Sequence, residues 1–169
     1  MPAEIRILYI EDDESLGILF TKIVTDLGHS VDVATNGRDG IAMYNANPHD
    51  VVFLDYNLPD TDGISIARKL FLDDPEQLIV LVTGEGSERL ASEALSLGIT
   101  EYVVKDSDLV FTELIPSILT KLGRVISGER NKRAAEKKVK RLEAVGENSL
   151  DIIYVLDQLG TGIYVSPSA

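Results

Sequence analysis

Short apolar runs alternate with longer amphipathic stretches along the first 123 residues. The apolar runs are rich in Ile, Leu and Val, and some are apolar at successive positions, which is typical of strands buried on both faces of a parallel sheet. The stretches between them have the apolar spacing of helices that cover such a sheet. The pattern predicts strands at 5–10, 31–34, 51–54, 78–82 and 102–104, and helices near 14–27, 38–46, 63–72, 87–97 and 108–123.

Alternation of strands with helices over short connections predicts an α/β fold: a five-stranded parallel sheet in a three-layer sandwich with right-handed crossovers. Gly28 and Gly98 stand where the first and fourth helices should end, as C-terminal caps. In such sheets the functional crevice lies at the carboxyl ends of the strands.

The chain changes character after residue 123. Residues 124–147 predict a charged linker helix, since seven of the twelve residues from Arg130 to Arg141 are basic. Its weak apolar stripes leave a homodimer open. Residues 148–169 predict two strands, 152–156 and 163–166, joined by a turn. A hairpin is marginal alone, so we interpret this tail as the start of a domain that is cut off.

The net charge of −12 is unevenly distributed. Residues 1–123 hold 8 Lys/Arg and 22 Asp/Glu, whereas residues 124–147 hold 8 and 4. The acidic part should repel nucleic acid and anionic membranes, so we expect neither as a partner. The sequence shows no membrane-length apolar stretch or signal peptide, and it has no cysteine, which together fit a cytoplasmic protein.

Charged side chains directly follow three of the predicted strands. Glu11 and Asp12 follow the first, Asp55 the third, and Lys105 the fifth. The first, third and fifth strands can be neighbours at that edge, which would place these groups in one crevice. Clustered carboxylates stay ionised only near a cation, and Mg²⁺ prefers such oxygen ligands. A carboxylate held there can attack phosphorus and form an aspartyl phosphate.

Four segments carry a specific resemblance. ILYIEDD, VVFLDYNLPDTDG, LIVLVTGEG and EYVVKD resemble, in order and spacing, the receiver domains of two-component response regulators. The resemblance covers residues 5–123 and implies the flavodoxin-like strand order 2-1-3-4-5. It divides the chain into a receiver domain (1–123), a linker helix (124–147) and a tail (148–169).

The resemblance implies a role for each residue of the acidic crevice. Asp55 corresponds to the phosphoacceptor, and Glu11 and Asp12 correspond to the family's acidic pair. Mg²⁺ would be held by Asp12, Asp55 and the backbone carbonyl of Asn57. The phosphoryl donor would be a histidine kinase or phosphotransfer protein, and the chain would be a signalling domain rather than a metabolic enzyme.

The resemblance also implies a switch. Thr83 corresponds to the switch hydroxyl, Lys105 to the lysine that contacts the phosphoryl group, and Tyr102 to an aromatic residue that turns inward on activation. The face formed by the fourth helix, fifth strand and fifth helix would change. The family places a proline in a cis peptide after the lysine, and Asp106 stands there instead. A cis bond before a non-proline residue costs about 3 kcal/mol, so this loop is either strained or trans.

Two further expectations concern phosphoryl lifetime and output. Asn57 and Glu85 lie two residues after the acceptor and the switch threonine, a pairing that resembles chemotaxis-type receivers and predicts moderately fast self-dephosphorylation. The tail from Glu147 to Ala169 resembles the opening of a PAS sensory domain. A PAS or sensor domain in a longer chain would then be the downstream partner.

Three alternatives stay open. A degenerate receiver would act only as a phosphorylation-independent docking module. A phosphatase with an aspartyl nucleophile would need a second aspartate where Asn57 stands. A flavodoxin-like cofactor binder would need a phosphate-binding first loop, and the acidic residues that follow the first strand would repel a phosphate.

Overall fold

The chain divides into two compact units, Met1–Gly123 and Arg124–Ala169. The computed structural model describes residues 4–84, 86–106, 109–147, 154–156 and 162–165. The strands of the first unit are β1 (Arg6–Ile10), β2 (Ser30–Ala34), β3 (Val51–Asp55), β4 (Leu78–Thr83) and β5 (Glu101–Val104). They form one parallel sheet in the order β2-β1-β3-β4-β5. This confirms the predicted fold class and strand order.

Helices connect successive strands and begin at side-chain caps. Their bounds are α1 (Glu14–Asp26), α2 (Gly37–Ala46), α3 (Gly63–Asp73) and α4 (Glu88–Leu97). At the start of α1, for example, the Asp13 carboxylate accepts hydrogen bonds from two backbone N–H groups of the first turn. Gly28 and Gly98 have φ values of +82° and +102° after α1 and α4, which confirms both as helix-ending glycines.

The sheet is buried on both faces because successive residues of its central strands point to opposite sides. On one face the ring of Tyr9 packs against Phe20 of α1 and Phe53 of β3, with ring centroids 4.2 and 6.5 Å away. On the other face aliphatic side chains of the sheet and of α3 and α4 form a cluster that includes Ile10 and Leu54. The strands are therefore held rigidly, which fixes the position of the residues at their ends.

The last helix differs from its prediction. A 3-10 helix (Val110–Leu114) precedes α5, which is one helix over Ile115–Glu147 rather than two separate segments. Pro116 lies in the first turn, where its missing N–H has no cost. An interior glycine costs about 1 kcal/mol relative to alanine, and the Ala-, Lys-, Arg- and Glu-rich sequence around Gly123 and Gly128 favours helix enough to offset it. The domain boundaries at residues 123 and 147 stay a prediction.

The second unit contains two antiparallel strands, β6 (Tyr154–Leu156) and β7 (Gly162–Val165). The predicted strands at 152–156 and 163–166 overlap them, and their remaining residues lie outside the described part of the chain. Among the described residues, no helix has both the length and the apolar character that crossing a membrane requires.

Candidate functional site

Three carboxylates, called here the acidic cluster, meet where β1 and β3 end. Ile10 pairs with Leu54 in the parallel register, so that Glu11 and Asp55, the next residues of each strand, lie side by side. Together with Asp12 they offer three oxygen atoms that all lie within 4.8 Å of one another. Glu11 and Asp55 are only 1% and 4% exposed, whereas Asp12 is open to solvent. The cluster thus joins two buried carboxylates to one that faces solvent.

Lys105 brings an ammonium group to the acidic cluster. Its backbone N–H donates to the carbonyl of Thr83 at 2.8 Å, which extends the pairing of β4 with β5. Its Nζ lies 2.6 Å from Oε2 of Glu11 and 3.1 Å from Oδ2 of Asp55. The suggestion that the fifth strand neighbours the third is wrong, because β4 lies between them. The long lysine side chain spans that gap.

The electrostatics of Asp55 reflect an excess of negative charge. Burial raises the pKa of Asp55 above its usual value, the ammonium of Lys105 opposes this, and the charge of Glu11 adds to it. A backbone N–H from Tyr56 donates to Oδ1 of Asp55 at 2.8 Å and also favours the ionised form. Among the described residues, Lys105 supplies the ammonium within ion-pair distance of these carboxylates. A bound divalent cation would remove the imbalance.

The donor set fits Mg²⁺ by its chemistry. Hard divalent cations take oxygen ligands, and Mg²⁺ is commonly held by one or two carboxylates together with water and phosphate oxygens. Asp12 and Asp55 supply carboxylates, and the backbone carbonyl of Asn57 lies on the loop that follows β3. That loop is held in shape by an antiparallel bridge between Asn57 and Asp62.

Gly63 allows α3 to begin directly beside the acidic cluster. A Cβ atom at this position would lie 2.5 Å from the carbonyl oxygen of Asp55 and 2.9 Å from the side chain of Leu81. The Gly63 N–H donates to the carbonyl of Tyr56 at 2.9 Å. The sequence alone does not show this requirement, because the close approach arises only once β3 and α3 are packed together.

Thr83 and Tyr102 lie on β4 and β5 beside the cluster. Asp55 pairs with Val82, so that Thr83 is the next residue of β4 at the same edge, and its side chain is fully buried. Tyr102 pairs with Leu81 and is half-buried against the aliphatic cluster of the sheet. Glu85, the other residue expected to tune phosphoryl lifetime, lies outside the described residues.

The departure from the family pattern after Lys105 is accommodated by a trans peptide. The described backbone contains no cis bond, and the bond between Lys105 and Asp106 is part of it. The Asp106 carboxylate accepts from the backbone N–H of Phe111 at 3.0 Å, and its carbonyl accepts from the N–H of Leu109 at 3.2 Å. The Asp106 side chain therefore binds a backbone N–H in the first turn of the 3-10 helix that leads into α5, a contact that proline cannot make.

Sequence reasoning missed one polar group of the site. The hydroxyl of Tyr9 donates to Oε2 of Glu11 at 2.6 Å. A signal was available, because residues two apart on a strand share a face. His49 is buried at the other end of the strands, with its Nε2 2.9 Å from Oδ2 of Asp32.

Known proteins resemble this chain over the first unit. Residues 7–118 match the family model of the response regulator receiver domain. The chain is 34% identical over 119 residues to the transcriptional regulatory protein CusR of Escherichia coli K12, covering 70% of this chain and 52% of CusR. It is 34% identical over 109 residues to the chemotaxis protein CheY of Treponema pallidum, covering 63% of this chain and 76% of CheY.

A solved structure matches as well. The response regulator TrrA of Thermotoga maritima, in complex with Mg²⁺ and BeF, aligns with a TM-score of 0.60 and 26% identity, covering 69% of this chain and 97% of TrrA. The chain spans about half the length of CusR. The family match extends over more than half of the chain and includes the acidic cluster, Thr83 and Lys105. The chain therefore belongs to the response regulator receiver domain family.

Proposed function

We propose that the first unit accepts a phosphoryl group on Asp55 from a phosphohistidine of a histidine kinase or phosphotransfer protein. The observation that carries this proposal is the convergence of Glu11, Asp12 and Asp55 with the ammonium of Lys105. A buried carboxylate whose ionised form is poorly compensated is a reactive nucleophile once a cation offsets the charge around it. The domain would act in signalling rather than in metabolism.

The residues of the site have separate roles in this transfer. A carboxylate oxygen of Asp55 forms the new bond to phosphorus, and the P–N bond breaks with its electron pair returning to the imidazole of the donor. Asp12, Asp55 and the carbonyl of Asn57 would hold Mg²⁺, the cation present in the solved TrrA complex. Mg²⁺ would supply positive charge to the phosphoryl oxygens. Lys105 adds a second positive charge on the same side.

We further infer that phosphorylation changes the surface formed by α4, β5 and α5. The added charge on Asp55 would draw the hydroxyl of Thr83, which ends β4 at the same edge. Tyr102, half-buried on β5, would then pack further inward. The exposed side chain of Asn57 would help to orient attacking water, which supports a phosphoryl group of moderate lifetime. We also propose that a PAS or sensor domain after the linker helix is the downstream partner, and that the chain forms a homodimer.

A docking module without phosphorylation is the rival function. A docking module would not require a carboxylate that a cation can reach, yet Asp12 is exposed beside the buried Asp55. The geometry therefore favours the phosphorylated domain.

The test is uptake of a phosphoryl group followed by intact-protein mass. The chain is incubated with Mg²⁺ and acetyl phosphate, and wild type is compared with Asp55→Ala. Asp26→Ala, which removes an exposed carboxylate at the end of α1, is the matched control. We expect wild type and the control to gain one phosphoryl group and Asp55→Ala to gain none. Equal uptake by Asp55→Ala, or no uptake by wild type, would reject the proposal.

A further inference from the structure

Tyr9 lies directly beneath the acidic cluster and contacts one member of it. Its side chain is 1% exposed, and its hydroxyl lies 2.6 Å from Oε2 of Glu11. The same oxygen accepts from Nζ of Lys105, also at 2.6 Å. Lys105 in turn lies 3.1 Å from Asp55. A continuous chain of polar contacts therefore runs from a tyrosine in the protein core to the acceptor carboxylate.

The direction of the first hydrogen bond is fixed by chemistry. Burial raises the pKa of Tyr9 well above its usual range, and the negative charge of Glu11 adds to this effect. The hydroxyl thus keeps its proton, and a carboxylate can only accept, so Tyr9 must be the donor. Hydrogen bonds from a neutral donor to a charged acceptor are among the stronger ones in proteins.

The ring of Tyr9 is a rigid support for this hydroxyl. It packs against Phe20 and Phe53, with centroids 4.2 and 6.5 Å away, and it belongs to the central strand β1. The hydroxyl position is therefore set by core packing rather than by the site. Glu11 is the group that adapts to it.

The Glu11 carboxylate has two possible roles: contact with a bound cation, or an ion pair with Lys105. Its Oε2 is shared by Tyr9 and Lys105, and its Oε1 lies 3.3 Å from the backbone N–H of Asp13. Both oxygens are thus occupied by donors of this chain, whereas Asp12 is exposed. The Tyr9 hydrogen bond favours the ion pair with Lys105, because it orients Oε2 of Glu11 toward the ammonium.

We propose that Tyr9 is a positioning residue for phosphoryl transfer, which acts through Glu11 to hold the ammonium of Lys105 against Asp55. The inference rests on the proposed function and deepens it. The Tyr9 hydroxyl contacts Glu11 rather than a carboxylate assigned to Mg²⁺, so its removal should change how well Lys105 is placed and leave cation binding intact.

The experiment compares Tyr9→Phe with wild type at saturating Mg²⁺ and acetyl phosphate. Phenylalanine keeps the ring contacts and deletes only the hydroxyl. We expect the maximal phosphorylation rate to fall about tenfold, the scale of one lost hydrogen bond to a charged group. The dissociation constant for Mg²⁺, measured by calorimetry without phosphodonor, should change less than about twofold, because the charge of the acidic cluster is unchanged.

Tyr44→Phe is the matched control. Tyr44 is also partly buried and its hydroxyl donates to Oε1 of Gln77 at 3.0 Å, at the opposite end of the strands. A general loss of stability from deleting a tyrosine hydroxyl would slow both variants alike. We expect the control to be phosphorylated at the wild-type rate.

A second comparison tests the route through Glu11. Glu11→Ala leaves Asp12 and Asp55 in place, and in that background the Tyr9 hydroxyl has lost its acceptor. Tyr9→Phe should then have no further effect on the rate, as for two residues that act as one unit. A further tenfold loss in this background would overturn the proposal.

The outcomes separate this inference from the proposed function. If wild type gains no phosphoryl group, the proposed function fails whatever Tyr9 does. If wild type is phosphorylated and Tyr9→Phe matches its rate, only the positioning role of Tyr9 is rejected. A weaker Mg²⁺ affinity at an unchanged maximal rate would also reject it, since Tyr9 would then act on the cation.

Discussion

Carboxylates are paired differently at the two ends of the same parallel strands. Near the amino ends two carboxylates, those of Asp50 and Asp32, each have a nitrogen partner of their own. The carboxylate of Asp50 accepts from the backbone N–H of Arg6 at 2.8 Å and lies 3.8 Å from its side chain. Asp32 has the ring nitrogen of His49 at 2.9 Å. Both of these carboxylates are therefore matched by at least one nitrogen atom.

The carboxyl ends lack that balance. Three carboxylates lie close together, and the two buried ones share the ammonium of Lys105. Burying charge without compensation is costly, so an arrangement of this kind does not serve stability. Because both edges contain several polar side chains, it is the unmatched charge that distinguishes the functional edge. Three substitutions test this contrast between the two edges of the sheet.

Lys105→Ala should lower the phosphorylation rate by about a hundredfold or more, the usual scale for losing a charge that stabilises a transition state. The variant also leaves the carboxylates of Glu11 and Asp55 without their ammonium. Lys121→Ala is the matched control, because Lys121 forms an exposed ion pair with Glu101 outside the cluster. The rates are measured by intact mass over time at saturating Mg²⁺ and acetyl phosphate. A Lys105→Ala rate near that of wild type would break the contrast.

Gln77→Ala tests the balanced edge. This buried residue donates to the backbone carbonyls of Asp50 and Leu78 at 3.3 and 3.1 Å and accepts from the hydroxyl of Tyr44. Its removal deletes these three hydrogen bonds at a buried position, which should lower the free energy of unfolding by about 1–3 kcal/mol. Urea denaturation measures this loss. The phosphorylation rate of the folded variant should equal that of wild type, and a tenfold slower rate would show that the two edges are coupled.

Much of the fold could be predicted from local pattern. The apolar runs place every strand of the sheet to within about two residues, and the glycines after α1 and α4 have the positive φ values expected of them. The continuous helix α5 was missed, because a glycine weakens a helix without ending it when strong helix formers surround it. Local pattern is reliable where one segment determines its own structure.

The site could be predicted only in part. Glu11, Asp55 and Lys105 could be assigned to one edge, since the carboxyl ends of parallel strands meet there. Their pairing could not, because Lys105 and Glu11 lie 94 residues apart and their contact depends on strand order and side-chain length. The 2.5 Å approach that requires Gly63 is of the same kind. Such contacts exist only after the sheet has assembled.

Asp55→Asn measures the cost of the unmatched charge directly, and its effect should be the smallest of the three. Burial raises the pKa of Asp55, which means that the folded protein holds the carboxyl proton more tightly than the unfolded chain does. The stability linked to that proton is present in full below the unfolded pKa of about 3.9 and is lost as pH rises through the folded pKa. At pH 7 the ionised carboxylate therefore destabilises the metal-free protein.

Asparagine removes that charge and nearly keeps the shape, and Lys105 retains Glu11 at 2.6 Å. We therefore expect Asp55→Asn to unfold at higher urea concentration than wild type at pH 7 in the presence of a chelator, and the difference to shrink toward pH 4. Asp26→Asn, at an exposed position, should show no such gain. Saturating Mg²⁺ should stabilise wild type more than the variant, because a ligand stabilises only the state that binds it. A metal-free variant that is less stable than wild type at pH 7 would mean that Lys105 alone balances the acidic cluster.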